Sequence, residues 1–358
     1  MNKRIIYIDI YKAMLMIFVI IGHLHFFDYN SRTLTLIYSF HMPAFLIIAG
    51  YLSNISNESN FLEIIKKRFK STIIPYFIFY FISLIILPKD TMKGQQIAVL
   101  TMFRGIGDPD NSSNLPLWFL TYYFVAMTVF EILDLLSIKI TSKIKTKYNF
   151  NINNNLLLLI FCSVLMYISF VYARVYKAER LPFNTEIALF SLLYIYIGKI
   201  FKTYKDNLFS FFNSTIKNKI KLIVLIIIYV LIFFTWYKLS LKNGRIDLNA
   251  RDYKNAFLMY INAILGFIVF SAFPYIISKI KYINTIFSFL GKISLYTLAY
   301  HIPSNIVTYG IINNYIPSVM HKYLLSPSII SLSYFTLTAL LFSSFMFLIH
   351  KNIFEKKL

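Results

Sequence analysis

The sequence predicts an all-α fold: a polytopic integral membrane bundle of about ten transmembrane helices with both termini cytoplasmic. Three observations predict it. The 358 residues are 58% hydrophobic and 18% aromatic, with a mean hydropathy of +0.63, well above the apolar share of an ordinary soluble domain. Apolar runs near the ~20 residues that cross a bilayer recur along the whole chain, with no long polar block between them. The lysines and arginines gather on alternate sides of those runs, as they do in cytoplasmic loops.

Taken in order, the spans are expected over residues 6–27, 36–52, 72–87, 117–136, 156–173, 187–201, 220–237, 256–277, 286–306 and 329–349. With an inside N-terminus, 22 of the 36 basic residues fall inside, among them Lys3, Arg4, Lys217, Lys356 and Lys357. Of the loop acids, Glu58, Glu63, Asp206 and Glu355 fall inside, and eight lie outside. This asymmetry accounts for the formal net charge of +21 without nucleic acid. The single cysteine, Cys162, lies in an apolar run, which leaves no disulfide framework and no cysteine metal site. The first run holds Asp9 and Lys12 and is not followed by a small-residue cleavage site, so it is expected to be retained. One membrane domain over residues 1–358 is the expected organisation.

Outer loops over 88–116, 174–186 and 238–255 are long enough to shape a binding surface. The asparagine-rich stretch 149–155 reads as a connector. There is no repeat of fixed period, and no matching pair of broken helices of the inverted-repeat transporter kind.

A charge inside a bilayer costs at least ~2.5–3.5 kcal/mol, so such groups usually mark function. Asp9 and Lys12 are spaced i,i+3 with the acid first, a favourable ion-pair order on one helix face. A purely structural pair with Lys12 snorkelling fits the same spacing. His23 shares that face with Lys12 but lies about 16 Å further along, so the two have different roles. His23 and His41, the latter in Phe40-His41-Met42-Pro43, fall at similar depth near the outer ends of their spans. A neutral imidazole there suits proton transfer from a hydroxyl, and an interhelical hydrogen bond is the alternative. Ser294 and His301, i,i+7, form a polar stripe in the ninth span. The sequence contains no Walker loop, dinucleotide glycine motif or HExxH, which disfavours nucleotide and metal chemistry.

Tyr7-Ile8-Asp9-Ile10-Tyr11-Lys12 with Gly22-His23 resembles the first-helix signature of the acyltransferase 3 family of integral membrane acyltransferases. Phe40-His41-Met42-Pro43-Ala44-Phe45 through Ala49-Gly50-Tyr51 is similar to its second-helix motif. Lys66-Lys67-Arg68 with Pro75-Tyr76, Leu117-Trp118-Phe119-Leu120 and the Gly291 to His301 stretch resemble further family blocks. Leu181-Pro182-Phe183-Asn184, Asn243-Gly244-Arg245-Ile246-Asp247 and Tyr253-Lys254-Asn255 resemble the fucose 4-O-acetylase-like branch.

The resemblance implies transfer of an acyl group, most often acetyl, from acetyl-CoA to a sugar hydroxyl of a cell-surface polysaccharide or its lipid-linked precursor. The setting implied is a bacterial plasma membrane. Acetyl-CoA or another acyl-CoA would be a co-substrate, and no permanently bound cofactor or metal is implied. His23 would be the general base, with Lys12, Asp9, His41 and His301 as further catalytic candidates. Lys12, Lys66, Lys67 and Arg68 would favour the CoA phosphates, Arg68 having the best geometry for them. Trp118, Asn243, Arg245, Asp247, Asn255 and Ser294 would bind the acceptor, Trp118 as a stacking platform. A non-enzymatic polysaccharide exporter or flippase is the rival from another class. A purely structural scaffold would not need intramembrane Asp9, Lys12 and His23.

Overall fold

The computed structural model describes residues 5–177, 179–205, 207, 210, 215 and 218–355, and among these every regular element is helical. Lys3, Arg4, Asp206, Lys217, Lys356 and Lys357, assigned above to the inside, lie outside the described residues. Helices are the expected solution, because in hydrocarbon each backbone N–H and C=O must be paired within its own segment. Among the described residues, six helical stretches are long and apolar enough to cross a membrane: Arg32–Leu52, Phe61–Ile86, Asn154–Val175, Lys219–Asn243, Ala256–Ser278 and Ile329–Asn352. The chain is thus an all-α membrane bundle. Its α8 (Asn154–Val175) turns Leu156, Ile160, Val164, Ile168 and Val175 outward, a face suited to lipid.

Several spans depart from the run lengths in the sequence. α1 (Ile6–Gly22) stops five residues early, with His23 as its C-terminal cap residue at φ −105°. The second span is two helices, α2 (Arg32–Tyr38) and α3 (His41–Leu52). The third is α4 (Phe61–Arg68) continued through a π-helical turn, Phe69–Ile73, into α5 (Ile74–Ile86). α6 (Met92–Arg104) fills part of the first outer loop. α7 (Trp118–Tyr148) runs well beyond residue 136, and the sixth span breaks at Ser191 into α9 (Thr185–Phe190) and α10 (Leu192–Thr203). α11 (Lys219–Asn243) and α12 (Ala256–Ser278) follow. The ninth span divides at Ile293 into α13 (Ile283–Lys292) and α14 (Ser294–Tyr315). Gly291 and Lys292 therefore sit on a different helix from His301. α15 (Ser318–Leu324) and α16 (Ile329–Glu355) complete the chain.

Serine hydroxyls relieve two of these breaks. Ser39 Oγ donates to Leu36 O at 2.7 Å and accepts from Trp236 Nε1 at 3.1 Å; Ser191 Oγ donates to Ile187 O at 2.8 Å. Backbone groups loosened inside a membrane are tolerated only where the protein supplies such partners. The asparagine-rich connector has a local logic too. Asn149 caps α7 in the left-handed region at φ 51°, and the Asn153 side chain caps α8.

The chain forms two compact units. The first comprises residues 1–44, 226–247 and 253–358, and α1 is its central helix, packed by α12, α13, α14 and α16. Tyr11 and Tyr7 tie α1 to α12 by donating to Phe267 O at 2.7 Å and Ser271 O at 3.0 Å. The second unit, residues 45–225 and 248–252, is organised on α7, which packs against α4, α8, α9 and α10. There α3 and α10 meet backbone to backbone. A Cβ on Gly50 would collide with Ile195 O, and one on Gly198 with Ile47 O, the close approach that small residues permit between membrane helices.

Candidate active site

The first unit gathers His23, His41, His301 and Arg245. The His23 and His301 rings lie 5.2 Å apart, centroid to centroid, tilted by 49°. His41 and Arg245 are within electrostatic reach of His23. The three histidines arrive differently. His23 ends α1, His41 opens α3, and His301 lies in mid-α14. The His25 ring stands 5.6 Å from that of Tyr309.

Two of the imidazoles have a fixed tautomer when neutral. His41 Nδ1 donates to Ile37 O at 2.7 Å, and His301 Nδ1 to Thr297 O at 2.9 Å and Leu298 O at 3.0 Å. A carbonyl oxygen only accepts, so the proton resides on Nδ1 and the lone pair on Nε2. His301 is fully buried, and among the described residues its Nε2 has no hydrogen-bond partner.

Arg245 forms the second wall. Its guanidinium lies 3.7 Å from the Tyr29 ring centroid and 4.2 Å from that of Tyr38, and Nη1 donates to Tyr29 O at 3.0 Å. Tyr38 in turn donates to Gly22 O at 3.2 Å, next to His23. Arg245 is 8% exposed, and among the described residues its Nε has no hydrogen-bond partner. Ser240 Oγ, Asn243 Nδ2, Asn262 Oδ1 and both amide atoms of Asn305 share that condition in the same unit. Buried polar groups of this kind are uncommon, and each calls for a partner such as an ordered water or a bound polar group.

The remaining predicted site residues are placed as follows. Asp9 is buried and Lys12 half-buried, one turn apart on α1. Asn255 caps α12 by accepting from Leu258 N at 3.0 Å, and its own N–H donates to Asn243 Oδ1 at 3.1 Å. It is a structural joint between α11 and α12. Asp247 belongs to the same unit. Ser294 begins α14, so its i,i+7 relation to His301 holds within one helix.

Lys66, Lys67, Arg68 and Trp118 belong to the second unit. Lys66 and Lys67 are exposed on α4. Arg68 is not an open phosphate ligand. Its Nε donates to Glu131 Oε2 at 2.8 Å, its Nη2 donates to Glu131 Oε1, and Glu131 also accepts from Ser53 Oγ at 3.0 Å. Trp118 is not an open platform either. It is 8% exposed, with its ring 5.3 Å from that of Tyr122.

Glu131 and the neighbouring Asp134, bonded to Lys199 Nζ, are charged groups that the sequence reading passed over. The signal was present, since two acids spaced i,i+3 interrupt the apolar run 117–136 as visibly as Asp9 and Lys12 interrupt the first.

Connecting segments of the second unit are held by arginines. Arg180 donates to Gly107 O and to Asn249 O, and Asn249 Nδ2 donates to Gly107 O at 3.0 Å. Arg251 donates to Glu179 O at 2.7 Å and lies 3.8 Å from Glu186. Partial burial disfavours the Asp108 carboxylate, but the Asn111 side chain, two backbone N–H groups and nearby Arg180 outweigh it, holding its pKa below the ordinary value.

A family model described as an acyltransferase domain matches residues 5–350. No curated protein and no solved structure matches the chain.

Proposed function

The chain belongs to the acyltransferase 3 family of membrane acyltransferases, and from that premise we propose that it moves an acyl group, acetyl in the simplest case, from acyl-CoA to a sugar hydroxyl. The observation that carries this reading is the His23–His301 pair, 5.2 Å between ring centroids, with a buried Nε2 on His301. His23 takes the proton of the acceptor hydroxyl as its oxygen attacks the thioester carbonyl carbon. The tetrahedral intermediate collapses, the C–S bond breaks, and the proton passes to the departing CoA sulfur. His301, with its tautomer fixed, accepts a hydrogen bond at Nε2 and orients the hydroxyl or the His23 ring. A positioned polar donor answers the developing oxyanion.

Lys12 favours the anionic end of CoA by charge. Arg245, Asn243 and Asp247 serve the acceptor; Arg245 is stacked by two tyrosines and needs no reorganisation to receive a polar group. The glycan reading rests on the resemblance of segments 181–184, 243–247 and 253–255 to sugar O-acetylases. A cell-surface polysaccharide or its lipid-linked precursor, at a bacterial plasma membrane, is the setting. Family membership favours transfer over the exporter reading.

The test is label transfer. Purified protein in nanodiscs, given radiolabelled acetyl-CoA and de-esterified surface polysaccharide, is expected to label the polysaccharide, and His23→Ala to abolish the labelling while the protein remains folded. Unlabelled polysaccharide with wild-type protein refutes the reading; full activity in His23→Ala removes His23 as the base.

A further inference from the structure

We infer that Asn305 binds the acceptor, using its amide to hold one or a vicinal pair of hydroxyls beside the histidine pair. This deepens the reading above and rests on it. Asn305 is 1% exposed, and neither Nδ2 nor Oδ1 has a hydrogen-bond partner among the described residues. A primary amide has two donors and two acceptor lone pairs. Burying one with none of them used leaves the desolvation cost of each group uncompensated, so a ligand that supplies both a donor and an acceptor is the natural complement.

Its position says which substrate that is. Asn305 lies one turn beyond His301 on the same face of α14, and Pro303 between them removes a backbone donor from the helix ladder. α1 and the α13–α14 segment run parallel, because three contacts occur in the same order along both: Asp9 with Gly291, His23 with His301, and His25 with Tyr309. Asn305 falls between the second and third of these levels, about 6 Å past His301. α1 has ended by then, at Gly22. Lys12, the cation assigned to the CoA end, lies on the opposite side of the histidines, about 16 Å before His23. A neutral donor–acceptor group on the far side matches a sugar hydroxyl, not a phosphate. Thr308, the next residue on this face, is already paired with Thr338 at 3.2 Å, and among the described residues Asn305 is the member of the stripe with neither side-chain polar atom bonded.

The test separates the two substrates. Full-length protein in nanodiscs is assayed with radiolabelled acetyl-CoA and de-esterified surface polysaccharide, and KM is measured for each. Asn305→Ala is expected to raise the polysaccharide KM about tenfold, the value of one or two neutral hydrogen bonds, and to leave the acetyl-CoA KM within about twofold. Asn305→Asp keeps the shape and removes the donors; it is expected to fold like wild type and to show the same selective rise. An unchanged polysaccharide KM in both variants, or an equal rise in both KM values, overturns the inference while the wild-type labelling leaves the acyltransferase reading standing. Failure of wild-type labelling instead strikes that reading itself.

Discussion

The carbonyl oxygen of Asp9 occupies the place where a side chain at Gly291 would begin. This contact lets α1 and α13 touch along their backbones and sets the height at which His23 meets His301. Gly291→Ala forces the helices apart at a point where the obstacle is backbone, which does not yield like a flexible side chain. Overpacking of this kind costs about 1–3 kcal/mol. The expected outcome is a lower thermal midpoint in detergent and weaker acyl transfer. Gly310→Ala, where a Cβ meets nothing within 4 Å, serves as the neutral control.

Replacing His301 by Leu keeps a bulky side chain and removes both ring nitrogens. Acyl transfer is expected to fall about 10²-fold, the size of effect that misplacing a reacting group produces. The comparison is between kcat values from single-turnover labelling. An effect on the acetyl-CoA KM alone would contradict the assigned role.

Arg245→Lys preserves the charge but not the planar stack between Tyr29 and Tyr38. Cation–π contacts are worth about 0.5–2 kcal/mol each. The expected outcome is a rise of roughly tenfold in the acceptor KM, measured with de-esterified polysaccharide, at an unchanged acetyl-CoA KM.

Glu131→Ala strands Arg68, whose side chain is 13% exposed. Removing one partner of such a buried pair typically costs about 3–5 kcal/mol, and the partial exposure of Arg68 places this case toward the lower figure. The thermal midpoint is expected to drop clearly, and the double variant Glu131→Ala with Arg68→Met to recover part of the loss. No recovery would show that the pair is not what holds α4 to α7.

Arg180→Ala releases the carbonyls of Gly107 and Asn249 together. Limited proteolysis is expected to cleave within residues 105–116 or 248–252 faster than in the wild type. An unchanged cleavage pattern would refute this.

Much of this was readable in the sequence, because a membrane amplifies rare residues. Asp9, Lys12, His23 and His301 stand out against their apolar runs, and the structure brings the two histidines together. The breaks at Ser39, Ser191 and Ile293 were not readable. The break at Ser39 is held by Trp236, whose indole reaches it from 197 residues away, and no local propensity encodes that. Arg68 was assigned to phosphate because its partner, Glu131, lies 63 residues on. Asn305 illustrates the sharpest limit. Thr297, His301, Asn305 and Thr308 recur at helical spacing, but only packing shows which of them lacks a partner.

The reciprocal contact of Gly50 with Ile195 and of Gly198 with Ile47 also orders events in time. The two glycines are about 150 residues apart in the chain, so at roughly 5–20 residues per second α3 waits on the order of 10–30 s for α10 to be synthesised. During that interval the groove around Gly50 lies open to lipid or to an insertase. Assembly of the second unit is therefore post-insertional at this seam, and a Gly50 variant would show its defect first as slow maturation in the cell.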